Sequence, residues 1–144
     1  MTKTGKTKAF AGAAKSRATA KPTRARQPAE AKLAELKRRL LEISDLAAAG
    51  AVLGWDQATY MPEGGARARA RQGATLSKLA HEKSVDPALR KLLDALAPYA
   101  AGLPYDCDEA SLIRIARRDF EKAIKLPSGY VARLSALGSA SYDA

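Results

Sequence analysis

Trp55-Asp56-Gln57-Ala58-Thr59-Tyr60-Met61-Pro62-Glu63-Gly64-Gly65 holds the chain's only tryptophan and breaks a long helical pattern. Pro62 has no N–H to give a helix and the two glycines release the backbone, so a turn is expected at 61–65. Upstream, a 3-4 spacing of apolar and small residues runs Leu33, Leu36, Leu40, Ile43, Ala47, Gly50, Gly54. Pro28 suits a first helical turn, and Glu30 suits its positive end. The pattern predicts a helix of about 27 residues, roughly 40 Å long. Lys32, Lys37, Arg38, Glu42 and Asp45 fall on its opposite face. Its second half narrows to alanine and glycine, which implies a neighbouring helix.

Downstream, a second helix is predicted from Ala66 to about Lys83, with Leu76, Leu79 and Ala80 on its apolar side. Arg67, Arg69 and Arg71 crowd its N-terminal end, where positive charge opposes the macrodipole. Asp56 or Glu63 is therefore expected to face at least one of them. Asp86-Pro87 reads as a cap followed by a first-turn proline, and Leu89, Leu92, Leu93, Leu96 and Ala97 continue at helical spacing until Pro98. The span 99–106, with Gly102 and Pro104, reads as a loop. Asp106 or Asp108 is expected to cap a fourth helix carrying Leu112, Ile113, Ile115, Ala116, Phe120, Ala123 and Ile124 and ending before Leu126-Pro127. A fifth opens near Ser128 and carries Val131, Leu134 and Leu137. No Gly-Pro signal closes it, so the chain reads as cut there. With no alternating strand pattern and no internal repeat, the predicted fold class is all-α: antiparallel helical hairpins over 28–144 behind a basic tail over 1–27.

That tail dominates the charge. Between Met1 and Ala29 stand eight Lys and Arg and no acid, whereas from Glu30 onward 17 basic residues meet 15 acidic ones. Phe10 is its large apolar side chain, so the tail cannot offset its ordering entropy and is expected to be disordered. A Lys-rich arm can hold nucleic acid through counterion release. Without interleaved aromatics or a nucleic-acid fold behind it, a solvated extension is the favoured reading, with an organelle transit peptide as another. Cys107 is alone, which excludes an intrachain disulfide and suits a reducing compartment. No apolar run in the sequence is long enough to cross a bilayer as a helix, and a cytoplasmic location is expected.

Few residues carry chemistry. His81-Glu82-Lys83-Ser84-Val85 misses the zinc pattern H-E-x-x-H at its last position, and the chain has one histidine. His81 is expected to be a solvated or packing residue. Cys107 lies among Asp106, Asp108 and Glu109, whose charges disfavour a thiolate, so a Cys107–His81 dyad is rejected. Those carboxylates are explained by a helix start. Gly64-Gly65 lacks the lysine and spacing of a phosphate loop. Trp55 and Asp56 could form a cleft wall with Thr59, Met61 and Arg69. The favoured reading makes Trp55 an interhelix plug and Asp56 the partner of Arg69 or a helix cap. No catalytic, cofactor-binding or metal-ligating residue is assigned.

The string Trp55-Asp56-Gln57, Thr59, Met61-Pro62, Gly65-Ala66, Arg69, Gln72, then Leu76, Leu79 and His81-Glu82, resembles the N-terminal region of the carboxypeptidase Taq family. Arg118-Asp119-Phe120, Ala123 and Leu126-Pro127 look like family text too, and the similarity covers roughly Ala31 to the C-terminus. The resemblance implies a nearly all-helical metallopeptidase that removes residues singly from the C-terminal end of peptides. It implies a divalent metal, zinc or cobalt, held by an H-E-x-x-H helix and a further Glu, with the motif Glu activating a metal-bound water, and a homodimer. Those motifs lie well downstream in much longer family chains, so this chain is expected to be an N-terminal part, inactive alone and with exposed apolar faces.

Overall fold

The computed structural model describes residues 27–141, apart from the side chain of Gln27. The expectation of a disordered tail falls almost wholly on residues outside that range. Five α-helices follow one another: α1 Gln27–Thr59, α2 Ala66–Ser84, α3 Pro87–Ala101, α4 Asp108–Ala123 and α5 Ser128–Ala140. No strand occurs among the described residues. The all-α reading holds.

At 33 residues, α1 is the spine of the fold, about 50 Å long. It extends beyond the predicted Gly54 because Trp55 to Thr59 keep helical geometry, and Thr59 Oγ1 donates to the carbonyl of Trp55 at 2.8 Å. Two antiparallel layers use its two halves. Along the first half, Leu33 and Leu36 meet Leu89, Leu93 and Leu96 of α3 and Ile113, Ala116 and Phe120 of α4. Leu36, Leu93 and Leu96 are at most 1% exposed. Burial of each such leucine stabilises the fold by about 1.5–3 kcal/mol. The second half lies antiparallel to α2, bracketed by the pairs Asp56–Arg69 and Glu42–Lys83, the latter 2.6 Å. Helix α5 then packs on α2, again antiparallel, with His81 bonded to Ser128 and Ser77 to Ser135.

Two boundaries differ from the sequence expectation. Pro98 does not end α3, which continues to Ala101. The bond that Pro98 cannot donate would reach the carbonyl of Asp94, on an exposed side of the helix where water can serve it. Beyond it, Tyr99 and Ala100 pack on the core, which favours one more turn. The cap of α4 is neither Asp106 nor Asp108 but Cys107, whose Sγ accepts the N–H of Ala110 at 3.4 Å. Asp108 and Glu109 lie inside the first turn, where their charge favours the macrodipole. The Asp86 cap is as expected: Oδ1 accepts the N–H of Ala88 at 2.8 Å.

A charge fan ties α1 to the α2–α3 corner. Glu35 accepts from Arg38 Nε and Nη2 at 2.8 Å each and from Arg39 Nε at 2.6 Å. Arg39 also reaches Asp86 Oδ2 at 3.1 Å. The Arg38 hydrogen bonds first, then that of Arg39, lower the Glu35 carboxyl from 4.5 to about 2. A pKa lowered by folding means that the unfolded chain binds the proton more readily. The contribution is therefore present above about 4.5 and is lost as pH falls toward about 2. Carboxyl-carbon NMR should place the Glu35 midpoint near 2, and Arg38→Ala should raise it; a wild-type midpoint near 4.5 would contradict the fan.

Candidate functional site at the α1–α2 corner

The turn after α1 is built by its glycines. Gly65 N–H donates to the carbonyl of Pro62 at 2.9 Å, and Gly64 sits at φ 81°, a region that side chains disfavour. Gly65 has an ordinary φ, but a Cβ there would lie 2.8 Å from Met61 Cγ and 3.0 Å from the Pro62 carbonyl oxygen. This tight turn returns the chain so that Arg69, in the first turn of α2, meets Asp56, in the last turn of α1. Arg69 Nη1 also donates to Gln72 Oε1 at 3.0 Å, while its Nε is buried with no hydrogen-bond partner among the described residues. Arg67 and Arg71 stay exposed.

Gln57 forms a second tie. Its Nε2 donates to the carbonyl of Ser139 at 2.8 Å, and Ser139 Oγ donates back to its Oε1 at 2.7 Å. The ends of α1 and α5 are thereby locked reciprocally. Between them lies a cleft of about 250 Å³, bordered by Gly50, Gly54, Gly73 and Gly138 and by Gln57, Arg69, Ser135 and Ser139. A Cβ on Gly50 or Gly54 would meet nothing within 4 Å. Gly50 and Gly54 therefore leave space here, on the half of α1 that packs against α2.

Trp55 is not an interhelix plug. It is 60% exposed and meets Tyr60 edge-on, with ring centroids 5.7 Å apart and planes at 60°. Extending the inward line Leu46, Gly50, Leu53 by four residues reaches Gln57, whereas Trp55 lies beside Val52 on the opposite side. Of the group Trp55, Asp56, Thr59, Met61 and Arg69, the fold joins Asp56 to Arg69 and spends Thr59 on its own helix end.

His81 is a packing residue. Its Nε2–H donates to the carbonyl of Ala123 at 3.1 Å, which leaves Nδ1 to accept from Ser128 Oγ–H at 2.9 Å in the neutral ring. Cys107 caps the first turn of α4, whereas His81 binds the carbonyl at that helix's last residue, about 24 Å away. No thiol–imidazole dyad forms. Among the described residues no three His, Cys, Asp or Glu gather where a metal ion could be held, and no helix is long and apolar enough to cross a membrane.

The residues missed in the sequence are the polar ties Gln57–Ser139 and Ser77–Ser135, the latter 3.0 Å. Their signal is a recurrence of Ser128, Ser135 and Ser139 on one face of α5 opposite Gly73, Ser77 and His81 of α2. Apolar periodicity passes over it.

Thermostable carboxypeptidase 1 of Thermus thermophilus is 32% identical to this chain over 94 residues, which are 65% of this chain and 18% of that protein. The matched stretch thus spans less than a fifth of the relative's length. No solved structure matches. The profile of the carboxypeptidase Taq (M32) metallopeptidases matches residues 35–144, from the first third of α1 through the Asp56–Arg69 corner to α5, and the chain belongs to that family.

Proposed function

We propose that this chain is the N-terminal helical part of a metal-dependent carboxypeptidase that removes C-terminal residues from peptides with a metal-activated water, and that this part supplies scaffold and not chemistry. One observation carries the reading. The polar residues of the family string are consumed in holding helices together, Asp56 by Arg69 and Gln57 by Ser139, while both ring nitrogens of His81 are spent on the α4–α5 corner. The described residues do not fit the zinc or cobalt of the family: Val85 stands where a second imidazole would be needed, and no other ligand set gathers. The ligands belong to another part of a family polypeptide, so no catalytic step is assigned to this one. Homodimer formation and a cytoplasmic location belong to the same proposal.

The purified 144-residue chain, supplied with Zn²⁺ or Co²⁺, should release no C-terminal residue from peptides by mass spectrometry. Calorimetric titration with either ion should show no saturable stoichiometric binding. Chelator-sensitive release, or one tightly bound equivalent of metal, would overturn the scaffold reading.

A further inference from the structure

Helix α5 faces the wrong way for a helix bordered by water. Toward its neighbours it turns Ser128, Ser135 and Ser139, bonded to His81, Ser77 and Gln57. Tyr130, Leu134 and Leu137 point outward and are 54%, 58% and 65% exposed. Their 4-3 spacing sets them in one line over two turns. Of the apolar residues that the sequence places on this helix, Val131 is half-buried, whereas Leu134 and Leu137 face outward. Val131, Ala132 and Ala136 are half-buried on the contact side, so α5 carries apolar residues on both sides, and such a helix belongs inside a larger fold.

The occupants of that line can be told apart. The N-terminal tail offers Phe10 and Met1, too little to fill three sockets. A second copy is a poor match, because three side chains present on the order of 300 Å², whereas a standard interface buries about 800 Å² on each partner. A segment of the same polypeptide needs far less area, since linkage alone supplies an effective concentration of about millimolar. The matched stretch is 18% of the Thermus relative, so most of that protein lies outside it.

We propose that Tyr130, Leu134 and Leu137 form the seam on which the remainder of a family-length carboxypeptidase packs as an amphipathic helix, making α5 an interior helix of the complete enzyme. The inference rests on the family reading above. The spacing suits ridge-into-groove packing with helix axes crossing at about 20°, the partner contributing its own apolar residues one helical turn apart.

The test co-expresses the full 144-residue chain with the part of the Thermus carboxypeptidase that lies C-terminal to its matched stretch. An equimolar complex should copurify. The double substitution Leu134→Glu/Leu137→Glu should lower capture at least tenfold, and Leu134→Met/Leu137→Met should retain it. Circular dichroism of the chain alone should be the same with the glutamates, because both positions face water. Absence of a complex, or a complex indifferent to the glutamates, overturns the seam. So does a chain that dimerises alone and is made monomeric by the glutamates, since the line then belongs to a second copy. A complex that ignores the glutamates yet cleaves peptides would sink the seam while leaving the family reading standing.

Discussion

Replacing Leu36 by alanine is expected to cost about 3–5 kcal/mol, a large part of what a domain of this size has to lose. Leu36 is 0% exposed at the centre of the α1–α3–α4 core, and its neighbours are helices whose backbones cannot collapse into the space left. The loss therefore includes both transfer and cavity terms. Urea unfolding followed by circular dichroism should show a much lower midpoint at unchanged slope. Ile115→Ala supplies the contrast, because Ile115 lies on α4 beside the same core but is 46% exposed, and its loss should cost about 1 kcal/mol or less. Amide protection in α3 and α4 should fall about a hundredfold or more with Leu36→Ala. Equal midpoint shifts for the two variants would mean that the core is not where stability resides.

This core was largely legible in the sequence, because leucines at 3-4 spacing and a cap such as Asp86-Pro87 state both the face and the start of a helix. Lys32, Lys37, Arg38, Glu42 and Asp45 are all exposed as the pattern implies. Legibility ended where tertiary contacts decide between local options. Pro98 is a helix breaker by rule, yet its missing donor faces water and Tyr99 beyond it is held by packing and by Glu109 Oε2 at 3.2 Å. Cys107 is a weak acceptor flanked by better ones, and its extended backbone (φ −75°, ψ 150°) selected it as the cap. On α5 the apolar residues divide for a different reason: Val131 is half-buried while Leu134 and Leu137 face out, because the surface available on α2 includes Gly73, Ser77 and His81, which serines complement. At the candidate site, the Asp56–Arg69 pair followed from charge logic, whereas the exposure of Trp55 depends on what lies beside it and could not be read from its identity.

Arg69→Ala is expected to destabilise the chain by about 2–3 kcal/mol, more than the loss of an exposed ion pair would explain. Asp56 sits in the last turn of α1, where a negative charge faces the negative end of the macrodipole; Arg69 sits in the first turn of α2, where a positive charge faces the positive end. Each residue is misplaced on its own helix by about 0.3–1 kcal/mol, and the contact between them cancels both faults at once. With Arg69 gone, Asp56 keeps its dipole penalty in a half-buried corner and loses its partner. Asp56→Ala leaves the converse fault, with the buried guanidinium retaining only Gln72. The double variant removes both charges and both penalties, so its cost should fall short of the sum of the single costs by about 1–2 kcal/mol. A cycle of urea midpoints at low and high salt measures this directly. The coupling should persist at high salt, because Arg69 is only 19% exposed and screening reaches a covered pair poorly. Additive costs would show that the two residues stand side by side without supporting each other. In that case the resemblance of this corner to family sequence would need a cause other than the joining of α1 to α2.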